Sequence, residues 1–155
     1  MGAFSRRSIA SMALALLSAC GGVSQSYAVY PSYVGSAATY AAAERDLKVV
    51  VVGNPTTRPW DEFEAAVAAA MQGKNGQPGT RFTTTPGETW RRDYRVVVAL
   101  GAPVSASGQT YCRYAPPPAP IAGQQPIRVV LAFCDGERLL SEVLASAPHL
   151  ATPGD

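Results

Sequence analysis

Arginine and aromatic side chains are interleaved in Trp90-Arg91-Arg92-Asp93-Tyr94-Arg95, with Arg81 a short way upstream. A guanidinium grips phosphate or carboxylate in a forked geometry, and a neighbouring ring adds stacking surface. Arg81, Trp90, Arg91 and Arg92 are therefore a candidate anion-binding set. The competing account is a solvated strand entrance, in which Asp93 neutralises one Arg and Trp90 covers the edge of the core. That is the usual meaning of a charge run. Other chemistry is poorly provided for. His149 is the only imidazole and follows Pro148 near the C-terminus, where no fixed partner is in prospect. A single His excludes zinc hydrolase sites built on several histidines. No G-x-S-x-G, P-loop or G-x-G-x-x-G occurs. Asp61, Glu62 and Glu64 crowd together, but acids in a first helical turn complement the helix dipole. The sequence thus assigns no catalytic residue, no metal ligand and no cofactor.

The elements that would position these residues follow from composition and periodicity. The chain has 155 residues, the length of one domain, with 47% apolar and 15% charged residues. Those proportions exclude a coiled coil, a collagen-like repeat and a highly charged disordered chain. A net charge of +2 is too small for a nucleic-acid surface, so no nucleic-acid partner is expected. Leu47-Lys48-Val49-Val50-Val51-Val52, closed by Gly53-Asn54-Pro55, reads as a strand buried on both faces. Pro59 to Met71 reads as a helix, with Trp60, Phe63, Val67, Ala70 and Met71 on one stripe and Gly73 as its stop.

Arg81 to Thr85 is a short strand candidate. Asp93 to Leu100 alternates, with Tyr94, Val96, Val98 and Leu100 on one face and Arg95, Val97 and Ala99 on the other. Thr110 to Tyr114 reads as a further strand holding Cys112, and Ala115 to Pro120 as a polyproline-like connection. Ile127, Val129, Leu131 and Phe133 alternate with Arg128, Val130, Ala132 and Cys134 before an Asp135-Gly136 hairpin turn. Residues 137–147 carry a helical stripe, yet the tight turn calls for a returning strand, which we adopt. The expected fold is α+β: one amphipathic helix packed on a mixed, mostly antiparallel sheet of four to five strands, in the order β-α-β-β-β-β.

The N-terminus has a different purpose. Arg6 and Arg7 precede an uncharged run from Ile9 to Leu17, the pattern of a secretory signal peptide. The run is too short for a membrane span of about 20 residues. Leu17-Ser18-Ala19-Cys20 resembles the lipobox of bacterial lipoproteins. The resemblance implies a diacylglyceryl thioether on Cys20, cleavage after Ala19 and acylation of the new amino group. Several acyl chains together make anchoring effectively permanent, at about 0.8 kcal/mol per buried methylene. Gly21, where some envelope lipoproteins carry an inner-membrane retention Asp, leans the assignment toward the outer membrane. Removing residues 1–19 takes away Arg6 and Arg7 and no acid, so 13 basic side chains become 11, equal to the 11 acidic ones.

With Cys20 lipidated, Cys112 and Cys134 remain in an oxidising compartment and are expected to pair. Such a bridge contributes about 3 kcal/mol in the chain-entropy model. Neither a C-x-x-C redox pair nor four close zinc ligands is present. Residues 20–46 read as a lipidated, flexible tether with a mean span on the order of 30 Å, Ala37 to Arg45 being a candidate short helix. The α+β domain is expected over 47–147 and a disordered tail over 148–155.

Over residues 47 to about 100 the chain resembles small, uncharacterised envelope lipoproteins. More distantly it is similar to the β-α-β-β modules of accessory lipoproteins in lipopolysaccharide assembly, curli secretion and penicillin-binding-protein activation. Val49-Val50-Val51-Val52-Gly53-Asn54-Pro55 and Asp93-Tyr94-Arg95-Val96-Val97-Val98 carry that similarity. It implies a non-enzymatic accessory, scaffold or binding protein of the cell envelope, held to the membrane by Cys20, with an envelope protein or glycan as partner. Two other readings stay open. One is a small hydrolase acting on envelope material. The other is a module that binds an anionic glycolipid or glycan through Arg81, Arg91 and Arg92.

Overall fold

Four consecutive valines, 49–52, leave a strand with no polar face to turn to water, and the fold buries both faces. The computed structural model describes residues 24–29, 35–74, 79–114 and 126–147. They form strands β1 (Ser24–Val29), β2 (Asp46–Val52), β3 (Arg81–Thr83), β4 (Tyr94–Leu100), β5 (Ile127–Asp135) and β6 (Arg138–Ala147). The helices are α1 (Gly35–Ala42), α2 (Trp60–Met71) and α3 (Gly108–Arg113). One sheet holds all six strands in the order β1-β6-β5-β4-β2-β3. β2 runs parallel to β3 and β4, while β4–β5, β5–β6 and β6–β1 are antiparallel. The fold is α+β on a mixed sheet, as expected. Among the described residues it has six strands and three helices, more than the sequence reading allowed.

The alternation read in β4 and β5 sorts their side chains onto two cores. Val49, Val51, Val98 and Leu100 pack with Phe63 and Ala68 of α2, Phe82 of β3 and Ala41 and Ala42 of α1. Tyr94, Val96, Val129, Leu131 and Phe133 border the same core. On the other face Val52, Val97, Ala99, Val130, Ala132 and Cys134 pack with Tyr111 and Cys112 of α3. In α2, Ala68 is buried where the stripe had placed Ala70, which is exposed. Pro59 caps the helix rather than opening it, its carbonyl accepting from the Phe63 N–H at 3.0 Å. Gly136 takes φ +58°, as the first residue of a two-residue turn joining β5 to β6 requires.

Two expectations are corrected. Thr110 to Tyr114 is not a strand: Gly108–Arg113 is helical. Tyr111 and Cys112 are buried at successive positions, which a half-buried strand cannot do. β5 already has β4 and β6 as neighbours, so this segment can reach Cys134 only by crossing the sheet face. Its Cys112 bonds Cys134 there, with 5.6 Å between the Cα atoms.

The second correction concerns the expected tether, which contributes β1 to the sheet edge and α1 to a core. The candidate helix at Ala37 to Arg45 is present as Gly35–Ala42, but its packing was not expected, and its small residues are the reason. Ala41 and Ala42 have little apolar surface to form a visible stripe, yet they fit close against β2. The signal segment, Cys20, the 115–120 connection, His149 and the 148–155 tail lie outside the described residues.

Candidate functional site

The interleaved arginines fall at one end of the sheet, where β2, β3 and β4 begin and β5 ends. Asp46 starts β2 with its carboxylate largely withdrawn from water. Arg81, at the start of the adjacent β3, donates from Nε and Nη2 to the two Asp46 oxygens, each at 2.6 Å. The Gly87 N–H adds a third bond to Asp46 Oδ2 at 2.7 Å. A forked pair of this kind is geometrically demanding and charge-assisted. The Arg81 hydrogen bonds first, and the Gly87 N–H second, hold the Asp46 carboxyl below its ordinary range. Beside them Arg45 Nη1 donates to the Thr89 carbonyl at 3.2 Å. These contacts fix the loop between β3 and β4.

That loop carries Trp90, Arg91 and Arg92. Arg91 lies over the Tyr40 ring of α1, its guanidinium carbon 4.4 Å from the ring centroid. Tyr40 meets Tyr94 edge-on at 6.0 Å, and Tyr94 meets Phe133 at 6.0 Å. A file of rings therefore runs from the half-buried Arg91 to the sheet. Burial, then the charge of Asp135, pushes the Tyr94 phenol up, so it stays neutral. Arg91 Nε is enclosed without a hydrogen-bond partner among the described residues. Trp90 is half-buried and Arg92 is exposed.

The four residues read as an anion site thus divide. Arg81 is committed to Asp46, Arg91 is laid on Tyr40 and Arg92 faces solvent. The pairing expected of Asp93 is made instead by Asp46, 35 positions from Arg81. Sequence reasoning missed Asp46, Tyr40 and Arg45, because the signal is contact across the sheet rather than spacing along the chain.

A second group of charges holds α3. Glu142 of β6 is buried and its Oε2 accepts from the Gly108 N–H at 2.7 Å, at the positive end of that helix. Arg95 of β4 donates to the Cys112 carbonyl at 2.6 Å near the negative end. Arg128 of β5 donates to the carbonyls of Pro103, at 2.6 Å, and Ala106, at 3.1 Å. Gln109 Nε2 bonds the Glu137 carbonyl at 2.8 Å. The fit is close: a Cβ on Gly108 would stand 2.9 Å from both Glu142 Oε2 and Leu139 Cδ1. Of these residues, the sequence pointed to Cys112 as half of a disulfide and to Arg95 only as a member of the arginine–aromatic run.

Among the described residues no three His, Cys, Asp or Glu side chains are grouped to hold a metal ion. No described helix is long and apolar enough to cross a membrane. No protein-family model, curated protein or solved structure matches the chain.

Proposed function

We propose that this chain is a lipid-anchored protein of a bacterial cell envelope, tethered through Cys20, and that it works as a non-enzymatic accessory, scaffold or binding module. The Cys112–Cys134 bond carries the reading. A disulfide that ties a helix to a sheet persists in an oxidising compartment, the destination to which Arg6, Arg7 and the lipobox would direct the chain. The charged side chains support the non-enzymatic part. Asp46, Arg81, Glu142, Arg95 and Arg128 are engaged in holding backbone and loops in place. Metabolic labelling with a palmitate analogue should mark the wild-type chain and not Cys20→Ser. Label retained by Cys20→Ser overturns the anchor. Crosslinking in intact cells, followed by mass spectrometry, should then recover a consistent envelope protein or glycan. Consistent recovery of a hydrolysed substrate would replace the scaffold with an enzyme.

A second reading, capture of an anionic glycolipid or glycan, is favoured by the seating of Arg91 on Tyr40. Its binding set is Arg91 and Arg92 without Arg81. Arg91→Ala with Arg92→Ala should abolish binding to lipid A or to peptidoglycan fragments, while Arg81→Ala should weaken it only through the loop. Unchanged binding by the double variant removes this reading.

A further inference from the structure

We infer that the lipid anchor holds one particular end of the sheet against the bilayer and turns the arginine–aromatic corner away from it. This rests on lipidation of Cys20. A flexible tether over residues 20–46, 27 residues, would leave the domain free to present any surface. The structure instead begins a sheet strand at Ser24, four residues after Cys20. Four residues fully extended reach about 14 Å. The Ser24 Cα must therefore lie within that distance of the Cys20 Cα, and the rest of the sheet is carried with it.

Strand directions then assign the two ends. Ser24 pairs with Ser146, near the C-terminal end of β6. Ser146 pairs with Arg128, near the start of β5, and the neighbouring Val129 pairs with Leu100 at the end of β4. β2 is parallel to β4, so its Val52 lies at this end too. The loop after β4 and the loop between β2 and α2 emerge here. Asp46, Arg81, Tyr94 and the β5–β6 turn lie at the opposite end. The seven residues of β4 separate the ends by roughly 20 Å at about 3.4 Å per residue.

The near end has a surface suited to lipid. Residues 101–107 carry no charged side chain. Val104 is 90% exposed, the largest exposure among the large apolar residues of the described chain. Arg128 holds this loop by its Pro103 and Ala106 carbonyls, so Val104 is presented rather than folded under. Among the described residues, the other large exposed apolar side chains, Val29, Tyr40 and Tyr114, are not on this loop. Val29 lies further along β1, paired with Ser141, and so reports whether the sheet edge, rather than its end, rests on the membrane.

The test uses the full lipidated mature chain, purified from membranes with its mass confirming the acyl groups. It is reconstituted in phosphatidylethanolamine–phosphatidylglycerol vesicles containing phosphatidylcholine brominated on its acyl chains near the headgroup. Trp60→Phe and Trp90→Phe remove the native indoles, and V104W, V29W or R92W restores one. All three positions are solvent-exposed, and circular dichroism checks each fold. Bromine quenches only at contact range, so V104W should lose at least twofold more emission than either V29W or R92W. Equal or greater quenching of V29W overturns the end-on placement in favour of an edge-on one. Equal or greater quenching of R92W overturns the polarity. Either result leaves the lipid anchor intact. A chain whose mass shows no acyl groups overturns the anchor and this orientation together.

Discussion

The two faces of the sheet are covered by helices that stay in place for different reasons. α2 has twelve residues and lays Phe63 and Ala68, with Trp60, Val67 and Met71 beside them, onto the core. Apolar burial on that scale, roughly 25 cal/mol per Å², suffices to seat a helix of three turns. α3 has six residues, of which Tyr111 and Cys112 are its main apolar contacts. An isolated helix of that length is unstable in water. It is held instead by the bond to Cys134, by Glu142 and Arg95 near its two ends and by Gln109 against the β5–β6 turn. A short element can cover a face when specific ties replace the area it lacks.

The contrast can be broken from either side. Phe63→Ala should have the largest effect, a loss of about 3–5 kcal/mol in urea denaturation, since it opens a cavity under α2. A loss under about 1 kcal/mol would mean that packing does not seat that helix. Replacing Cys112 and Cys134 together by Ala should cost about 3 kcal/mol by the loop-entropy argument. Native-state hydrogen exchange should then show α3 amides released while α2 amides keep their protection. Simultaneous release of both would show that the faces are one cooperative unit. Combining Phe63→Ala with the double Cys variant should be additive within about 0.5 kcal/mol if the faces are independent.

Glu142→Ala should cost about 1–3 kcal/mol, because it leaves the Gly108 N–H buried without its carboxylate. The smallest effect concerns the far corner. The Asp46 pKa is lowered by folding, chiefly through Arg81 and then Gly87. Its contribution is present above the unfolded-state value, near pH 4, and is lost as pH falls through the folded-state value. Asp46→Asn should therefore flatten the acid limb of the stability profile. With Arg81 largely in solvent, the change at neutral pH should stay below about 1 kcal/mol. An unaltered acid limb would mean that other carboxyls govern it.

Periodicity made α2, β4 and β5 legible, because each has a run long enough to show which side is apolar. β2 showed as a run of valines, and β6 only through the Asp135-Gly136 turn, against its own helical stripe. β1 was not legible, and α1 showed only as a candidate short helix over Ala37 to Arg45 with no sign that it packs, since Ser and Ala reveal little about which residues are covered. α3 was misread for a related reason. Thr110, Tyr111 and Cys112 suit a strand locally, and only the occupied edges of β5 direct that segment across the face. The arginine cluster was recognisable by type, but its division was not. Arg81 finds Asp46 because β2 and β3 lie parallel and in register, a relation absent from chain spacing.

Covalent and local matters are thus set by the amino-acid order itself. The signal-like N-terminus, the lipobox match at Cys20, the two remaining cysteines and the direction in which each strand turns its apolar side all depend on neighbours in the chain. Which charges meet, which end of the sheet Ser24 enters and which residues cover a face depend on strand order and register. Which charges pair and which helix covers a face are settled only when distant segments compete for the same edges and the same buried surface, so the tertiary structure decides them.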